Sequence, residues 1–530
     1  MLVQSAISIP LNPMLQTLSA KKVPMFRTLV QARNTYASSL PSRVVASSRF
    51  PSVVDQLPTE VLLLIFSMLD FTDANVLQAS TGRWPLTRVC RRWRAIVVDY
   101  PAFWSRITAN FDSVTPKTRA DLRALLSTHI NRSKDHPLSV QIRWRNLDLD
   151  LSNVSEEMYE GLRVLLATSH RWTSAAFDLH ILMLKEMTPF IFGEIPLLES
   201  LRLKVNMSGG SLTVARQIEM MALEIPTDAF EVAPKLRHFS VEGFLDPVEE
   251  LRLPWDQLTY LSTTHANPLL NLDCLRLSNL NLMECSLYSS GEWDDDFSVD
   301  PSRLVVLPNL KKLILYGNAG MVLHFLYAPN LEMLHVGNIA GRASSDLMDA
   351  VQCFVLNHGG RSESPLQSNL RSGTEFLGLS SSIILDPRPI LKLKNLSLEC
   401  DPLDHRIAET LYLTRGVERL RLKLVVPDLG RNLFEDLMKW MEFREGVERE
   451  KYLLPKLEEL TMVIRQRRSG LGYLRGVEGA NANGDGGRFV EVAIKRMVDS
   501  RRRMSRRDNL VRLERLRLDV RDEASTGVGL

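Results

Sequence analysis

The chain has 530 residues, 45% hydrophobic and 24% charged, which is ordinary globular material long enough for a large core or several domains. Its net charge of +3 gives no argument for nucleic acid or an anionic membrane as partner. Five scattered cysteines, Cys90, Cys274, Cys285, Cys353 and Cys400, form no C-x-x-C pair, so neither a disulfide framework nor a zinc ribbon is expected and a reducing compartment is the simpler reading. No apolar run reaches the roughly 18 residues of a membrane span.

Residues 1 to 54 contain no Asp or Glu, while Lys21, Lys22, Arg27, Arg33, Arg43 and Arg49 are spread among Ser and Ala. A transit peptide shares that composition, but the basic residues start late and show no amphipathic face, so a disordered leader over 1–50 is expected. The next stretch, Leu57 to Trp104, is the most informative. Pro58 suits the start of a helix, and Glu60 adds a negative charge near its positive end. From Val61 to Leu69 only Ser67 is polar, and the apolar arc covers roughly 200° or more, wider than an ordinary surface helix needs. One core cannot use all of it, and the surplus has to meet a second domain or another protein. Downstream, Val89, Trp93, Ile96 and Val97 fall on one helical face with Arg91, Arg92 and Arg94 opposite, and Pro101 stops the helix before Phe103 and Trp104.

By these residues the stretch resembles an F-box: Leu57-Pro58-x-Glu60 with an apolar helix, then Val89-Cys90-x-x-Trp93, then Pro101-x-Phe103-Trp104. The resemblance implies docking on the Skp-type adaptor of a Skp–cullin–F-box ubiquitin ligase, with the rest of the chain capturing a protein substrate. It places Leu57, Pro58, Leu62, Ile65, Phe66, Val89, Cys90 and Trp93 against the adaptor. The departure lies between the helices, where Gln78 to Pro85 adds about seven residues, a surface loop whose closure costs little.

After this unit, Thr115-Pro116 reads as an N-cap and first turn, followed by Leu122, Leu125, Leu126 and Ile130 at helical spacing. Beyond Pro137, the residues Leu138, Val140, Ile142 and Trp144 alternate with polar ones as in a half-buried strand. A helix capped by Ser155 and bearing Met158, Leu162, Leu165 and Leu166 comes next, then a strand around Phe177 and Leu179.

The remainder repeats one phrase, Leu-x-x-Leu-x-Leu, often with Pro two residues ahead. It begins at 198, 236, 258, 272, 310, 331, 393, 417, 457 and 513, with Pro196, Pro234, Pro308, Pro329 and Pro455 in the Pro-containing copies. The last two apolar residues of each copy point to one side of a strand, and the first packs the turn that enters it. The phrase is similar to the strand segment of leucine-rich repeats, although the spacing varies from 14 to 62 residues and the Asn that usually follows is missing. The expected architecture is α+α/β: a small helical F-box followed by an irregular βα leucine-rich-repeat-like solenoid. The alternative is a compact α/β domain whose leucines mark buried strands, and a ladder of parallel strands decides between them.

In such a ladder the residue between the last two apolar positions projects from the concave face: Arg202, Ser240, Arg276, Ile314, His335, Ser397, Arg421, Thr461 and Arg517. Arg suits bidentate capture of carboxylate or phosphate, so Arg202, Arg276, Arg421 and Arg517 are candidates for holding an acidic or phosphorylated substrate segment, against the plainer reading of a solvated charged surface. Near the C-terminus, Gly470 to Gly487 reads as a flexible insertion. The arginines at 465, 467, 468, 501–503, 506 and 507 flank an apolar helix face of Val490, Ala493, Ile494, Met497 and Val498. The chain contains no His-Glu-x-x-His, Gly-x-Ser-x-Gly or Gly-x-Gly-x-x-Gly, and the acidic run Glu292, Asp294, Asp295 and Asp296 reads as a solvated loop. No catalytic residue, metal or cofactor is expected.

The expected organisation is a leader over 1–50, an F-box over 51–108, a linker helix over 109–136, the solenoid over 137–520 with a flexible insertion at 466–487, and a disordered tail over 521–530. The expected function is a non-enzymatic substrate receptor that binds a Skp-type adaptor and, through it, cullin, in the cytoplasm or nucleus. A ligase-independent scaffold, or a nucleic-acid-binding protein using the basic C-terminal region, is the alternative.

Overall fold

A computed structural model of the chain describes residues 56–69, 74–145, 155–191, 195–206, 228–243, 247–249, 251–291, 304–337, 344–358, 391–400, 403, 406–427, 431–442, 453–467, 485–502 and 512–523. The leader, the acidic run at 292–296, most of the Gly-rich insertion, Arg468, Arg503, Arg506 and Arg507, and the last seven residues lie outside them. The chain divides into two compact units, one ending at Met68 and one beginning at Leu69.

The described part of the first unit is one helix, α1 (Thr59–Ser67), with Pro58 at its N-cap and Glu60 in its first turn. The second unit opens with a short 3-10 turn, Pro85–Arg88, and the helix α2 (Arg91–Asp99). Its main feature is a sheet of thirteen described strands whose spatial order is their sequence order, every neighbouring pair being parallel. The strands are β1 (Arg106–Asn110), β2 (Leu138–Trp144), β3 (Trp172–His180), β4 (Ser200–Asn206), β5 (His238–Gly243), β6 (Tyr260–His265) and β7 (Glu284–Ser289). They continue with β8 (Lys312–Gly317), β9 (Met333–Gly337), β10 (Asn395–Cys400), β11 (Arg419–Pro427), β12 (Glu459–Arg467) and β13 (Arg515–Glu523). The ladder decides for the solenoid-like α/β region over a compact domain.

The repeated phrase builds each strand in the same way. Its leading Pro stands second in a β-turn: the N–H of Leu198 donates to the carbonyl of Ile195, Leu236 to Ala233, Leu310 to Leu307, Leu331 to Ala328 and Leu457 to Leu454. Pro fixes the φ that this position requires. The turn sends the first Leu inward, and the two that follow, such as Leu201 and Leu203, enter one continuous core that also contains the helices between the strands. Those helices are α3 (Leu122–Ser133), α4 (Glu156–Leu166), α5 (Ile181–Ile191), α6 (Pro268–Leu277), α7 (Ser344–His358), α8 (Arg406–Leu413), α9 (Arg431–Met441) and α10 (Asp485–Arg502).

Three differences from the sequence reading have physical causes. The phrase at Leu272, Leu275 and Leu277 is helical: Asn267 caps α6, Pro268 opens it, and a spacing of three fits a helix as well as a turn-to-strand entry. The strand belongs instead to Leu282, Cys285 and Leu287, where Cys285 replaces the middle Leu and is buried with its two neighbours. Finally, β1 lies across the expected boundary at 108, and Leu122 and Leu126 of α3 share the core of the strands. The first edge of the sheet is closed by Asn75: Val76 N–H donates to Thr108 O at 2.9 Å, Asn75 Nδ2 donates to Asn110 O at 3.2 Å, and Asn75 Oδ1 accepts from Asn110 N–H at 3.1 Å.

Candidate functional site

Helix α1 is short and strongly apolar, and its side chains separate into two stripes. Leu62 and Phe66, four apart, are both 1% exposed. Val61, Leu64, Ile65 and Met68, at i, i+3, i+4 and i+7, are 38, 62, 41 and 71% exposed. That second stripe is one face of the helix, and water covers it at the cost of the hydrophobic effect. Of the residues expected against an adaptor, Ile65 and Pro58 are exposed, Leu57 is half-buried, and Leu62 and Phe66 belong to the buried stripe. Val61, Leu64 and Met68 complete the exposed face. The signal for them was the width of the apolar arc, which does not say which stripe turns inward.

In the second unit, Cys90 caps α2 by accepting the Trp93 N–H on its sulfur at 3.4 Å. Cys90 is exposed, and Val89 and Trp93 are half-buried. Behind them Val97 is buried, and its carbonyl accepts from Trp104 Nε1 at 2.7 Å. Trp104 meets Trp84 edge to face at 5.4 Å and His129 at 5.0 Å, and the Arg132 guanidinium lies 4.4 Å from the Trp104 ring. Burial pushes the His129 imidazole down to about 4, with Arg83 and Arg132 adding to the effect against a hydrogen bond to the Leu125 carbonyl. The imidazole is therefore neutral at neutral pH and acts as packing.

The second candidate surface is the sheet face turned away from the core. In register, Arg202, Ser240, Ser262, Ser286, Ile314 and His335 form one row, continued by Ser397, Arg421, Thr461 and Arg517. Arg202, Arg421 and Arg517 are exposed on it as expected. Arg276 is not: it sits on α6 and pairs with Asp273 at 2.8 Å, because its phrase forms a helix. In the flanking rows acids meet bases on adjacent strands, as in Arg143–Asp178 at 3.3 Å, Lys204–Glu242, Lys312–Glu284 at 3.0 Å and Lys423–Glu399 at 2.7 Å. On β8 to β10, the Tyr316 and His335 rings meet at 4.9 Å, and His335 Nδ1 lies 2.6 Å from Ser397 Oγ. Burial lowers the His335 pKa and raises that of Tyr316.

Among the described residues no group of three or more His, Cys, Asp or Glu is placed to hold a metal ion, and no helix is long and apolar enough to cross a membrane. Residues 54–110 match the family model described as F-box-like. No curated protein matches the chain. A solved structure, the crystal structure of the Rad7 and Elc1 complex in yeast, is similar at 15% identity with a TM-score of 0.28, over 66% of this chain and 84% of that one.

Proposed function

Because residues 54–110 are an F-box-like domain, we propose that the chain is the substrate-recognition subunit of a Skp–cullin–F-box ubiquitin ligase. F-box domains bind Skp- or elongin-type adaptors, and the observation that carries the reading is the exposed stripe Val61, Leu64, Ile65 and Met68 inside the matched segment. A contiguous apolar face of this kind gains about 1.5–3 kcal/mol for each large side chain that a partner covers fully. Pro58, Cys90 and Trp93 add contacts to the Skp-type adaptor, which brings cullin. The leucine-rich-repeat-like sheet, with its open row of unlike side chains, holds the protein substrate, and the chain itself performs no chemistry.

The test is affinity purification of the tagged full chain and of the double variant Leu64→Asp, Ile65→Asp. Both side chains are exposed, so thermal melting should be unchanged. Recovery of adaptor and cullin with the wild type alone is expected. Equal recovery by both chains would refute the docking face.

A further inference from the structure

The open sheet face narrows the substrate's chemistry, an argument that rests on the receptor reading above. Its central row contains three arginines and no carboxylate from β1 to β13. Of the acids in the flanking rows, Asp178, Glu242, Glu284, Glu399 and Glu459 are each matched by a base on the next strand, and Asp519 lies on β13, two strands from Arg421. The row therefore keeps its positive charge.

Four adjacent strands, β8 to β11, bring together the side chains best suited to hold a ligand. Ile314, His335, Ser397 and Arg421 are consecutive partners in register. Ile314 is half-buried, and Met333 and the Tyr316 ring lie in the rows on either side of it. A side chain at Gly337 would come within 2.7 Å of the Tyr316 ring and 3.5 Å of His335 Nε2, so the absence of a Cβ there lets the Tyr316 ring pack directly over the strand beside His335. His335 holds Ser397 through Nδ1, and its Nε2 is shielded from water with no hydrogen-bond partner among the described residues. Arg421 is exposed and forms no hydrogen bond or ion pair among the described residues.

We infer that this patch binds an extended segment of the substrate protein through one acidic side chain, whose carboxylate Arg421 grips, and one apolar side chain, which rests on Ile314 and Tyr316. Three strand steps of about 4.8 Å separate β8 from β11, roughly 14 Å, and an extended chain rises about 3.3 Å per residue. The two anchors are therefore about four residues apart in the substrate. A carboxylate fits better than a phosphate. Lys423 is spent on Glu399, which leaves one uncompensated guanidinium, whose fork matches a carboxylate bidentately. A phosphate, at about −1.5 to −2, would be undercompensated and would face Glu399.

The probe is a phage-displayed library of random peptides selected on the full chain, followed by titration of fluorescein-labelled winners. Winners are expected to carry Asp or Glu about four residues from an aliphatic or aromatic residue. Their affinity should fall about tenfold or more on Arg421→Ala and on Glu→Gln in the peptide, with little further loss when both changes are combined. Arg202→Ala, remote on the same row, should bind within about twofold of wild type. Winners without an acidic residue, no winners at all, or equal binding to Arg421→Ala would overturn the inference, as would tighter binding of a phosphoserine version. None of these results touches adaptor recovery through α1, which tests the receptor reading separately.

Discussion

Replacing His129 with Gln should remove a defined part of the chain's sensitivity to acid. His129 is buried between Trp84 and Trp104, with Arg132 stacked over both rings, and its pKa in the fold is about 4 against an ordinary 6.5. The unfolded chain therefore takes up the proton first. The stability that the neutral imidazole contributes is complete above pH 6.5, is lost as the pH falls toward 4, and changes no further below that. At 1.36 kcal/mol per unit the full loss is about 3 kcal/mol, of which about 2.5 kcal/mol lies between pH 7.5 and 4.5. His180, His324, His335 and His358 are shifted in the same direction by burial, so wild type and variant will both weaken in acid. The quantity to measure is the difference between them. Urea unfolding followed by tryptophan fluorescence at the two pH values should show wild type losing about 2.5 kcal/mol more than His129→Gln. Parallel losses would mean that the imidazole is solvated or already charged in the fold, and the packing argument would fail.

Leu62→Ala should cost about 2–5 kcal/mol in the stability of the segment and Leu64→Ala less than about 0.5 kcal/mol, because the first side chain is buried and the second is 62% exposed. Similar unfolding midpoints for the two variants would erase the distinction between the stripes. Arg501 is buried on α10 and donates to the carbonyls of Met441, Leu453 and Leu454 at 2.7, 2.7 and 3.0 Å. Arg501→Met should therefore lower stability by on the order of 3–5 kcal/mol, read as early proteolysis of the C-terminal strands, and unchanged proteolysis would refute it. Gly243 has φ +116°, and a Cβ there would stand 2.0 Å from the Val205 carbonyl oxygen, so Gly243→Ala should cost at least about 1–3 kcal/mol. Gly416→Ala, whose nearest atom is the Leu393 oxygen at 3.5 Å, should melt like wild type.

The strands were legible because the core leaves so little freedom at their inward positions. Leu201 and Leu203 in β4, or Leu396 and Leu398 in β10, must be apolar, and Pro196 or Pro329 must sit where φ near −65° starts the turn. Leu272 misled for the same reason, since its next partner at i+3 also lies on one face of a helix, and only Asn267-Pro268 distinguished the two readings. Cys285 hid a strand because its burial depends on its surroundings more than on its side chain. On α1 the width of the apolar arc predicted a surplus, yet its position could not be read. Whether Leu62 or Leu64 turns inward depends on what packs against the helix, and a sequence pattern of consecutive apolar residues contains no phase.

The irregular spacing of the phrase, from 21 residues between Leu310 and Leu331 to 62 between Leu331 and Leu393, leaves the ladder intact for a related reason. The turn and the two inward residues set the register of each strand against the last, and the extra residues fall outside that constraint, where loop closure costs grow only slowly with length. The outward residue of each copy is free in the same sense. No core restricts Arg202 or Arg421, so their identities can change without disturbing the strands that display them. Selectivity for a substrate can then be adjusted on the open face while the fold stays the same, which is why a receptor reading gives the unlike residues of this row a purpose that packing does not.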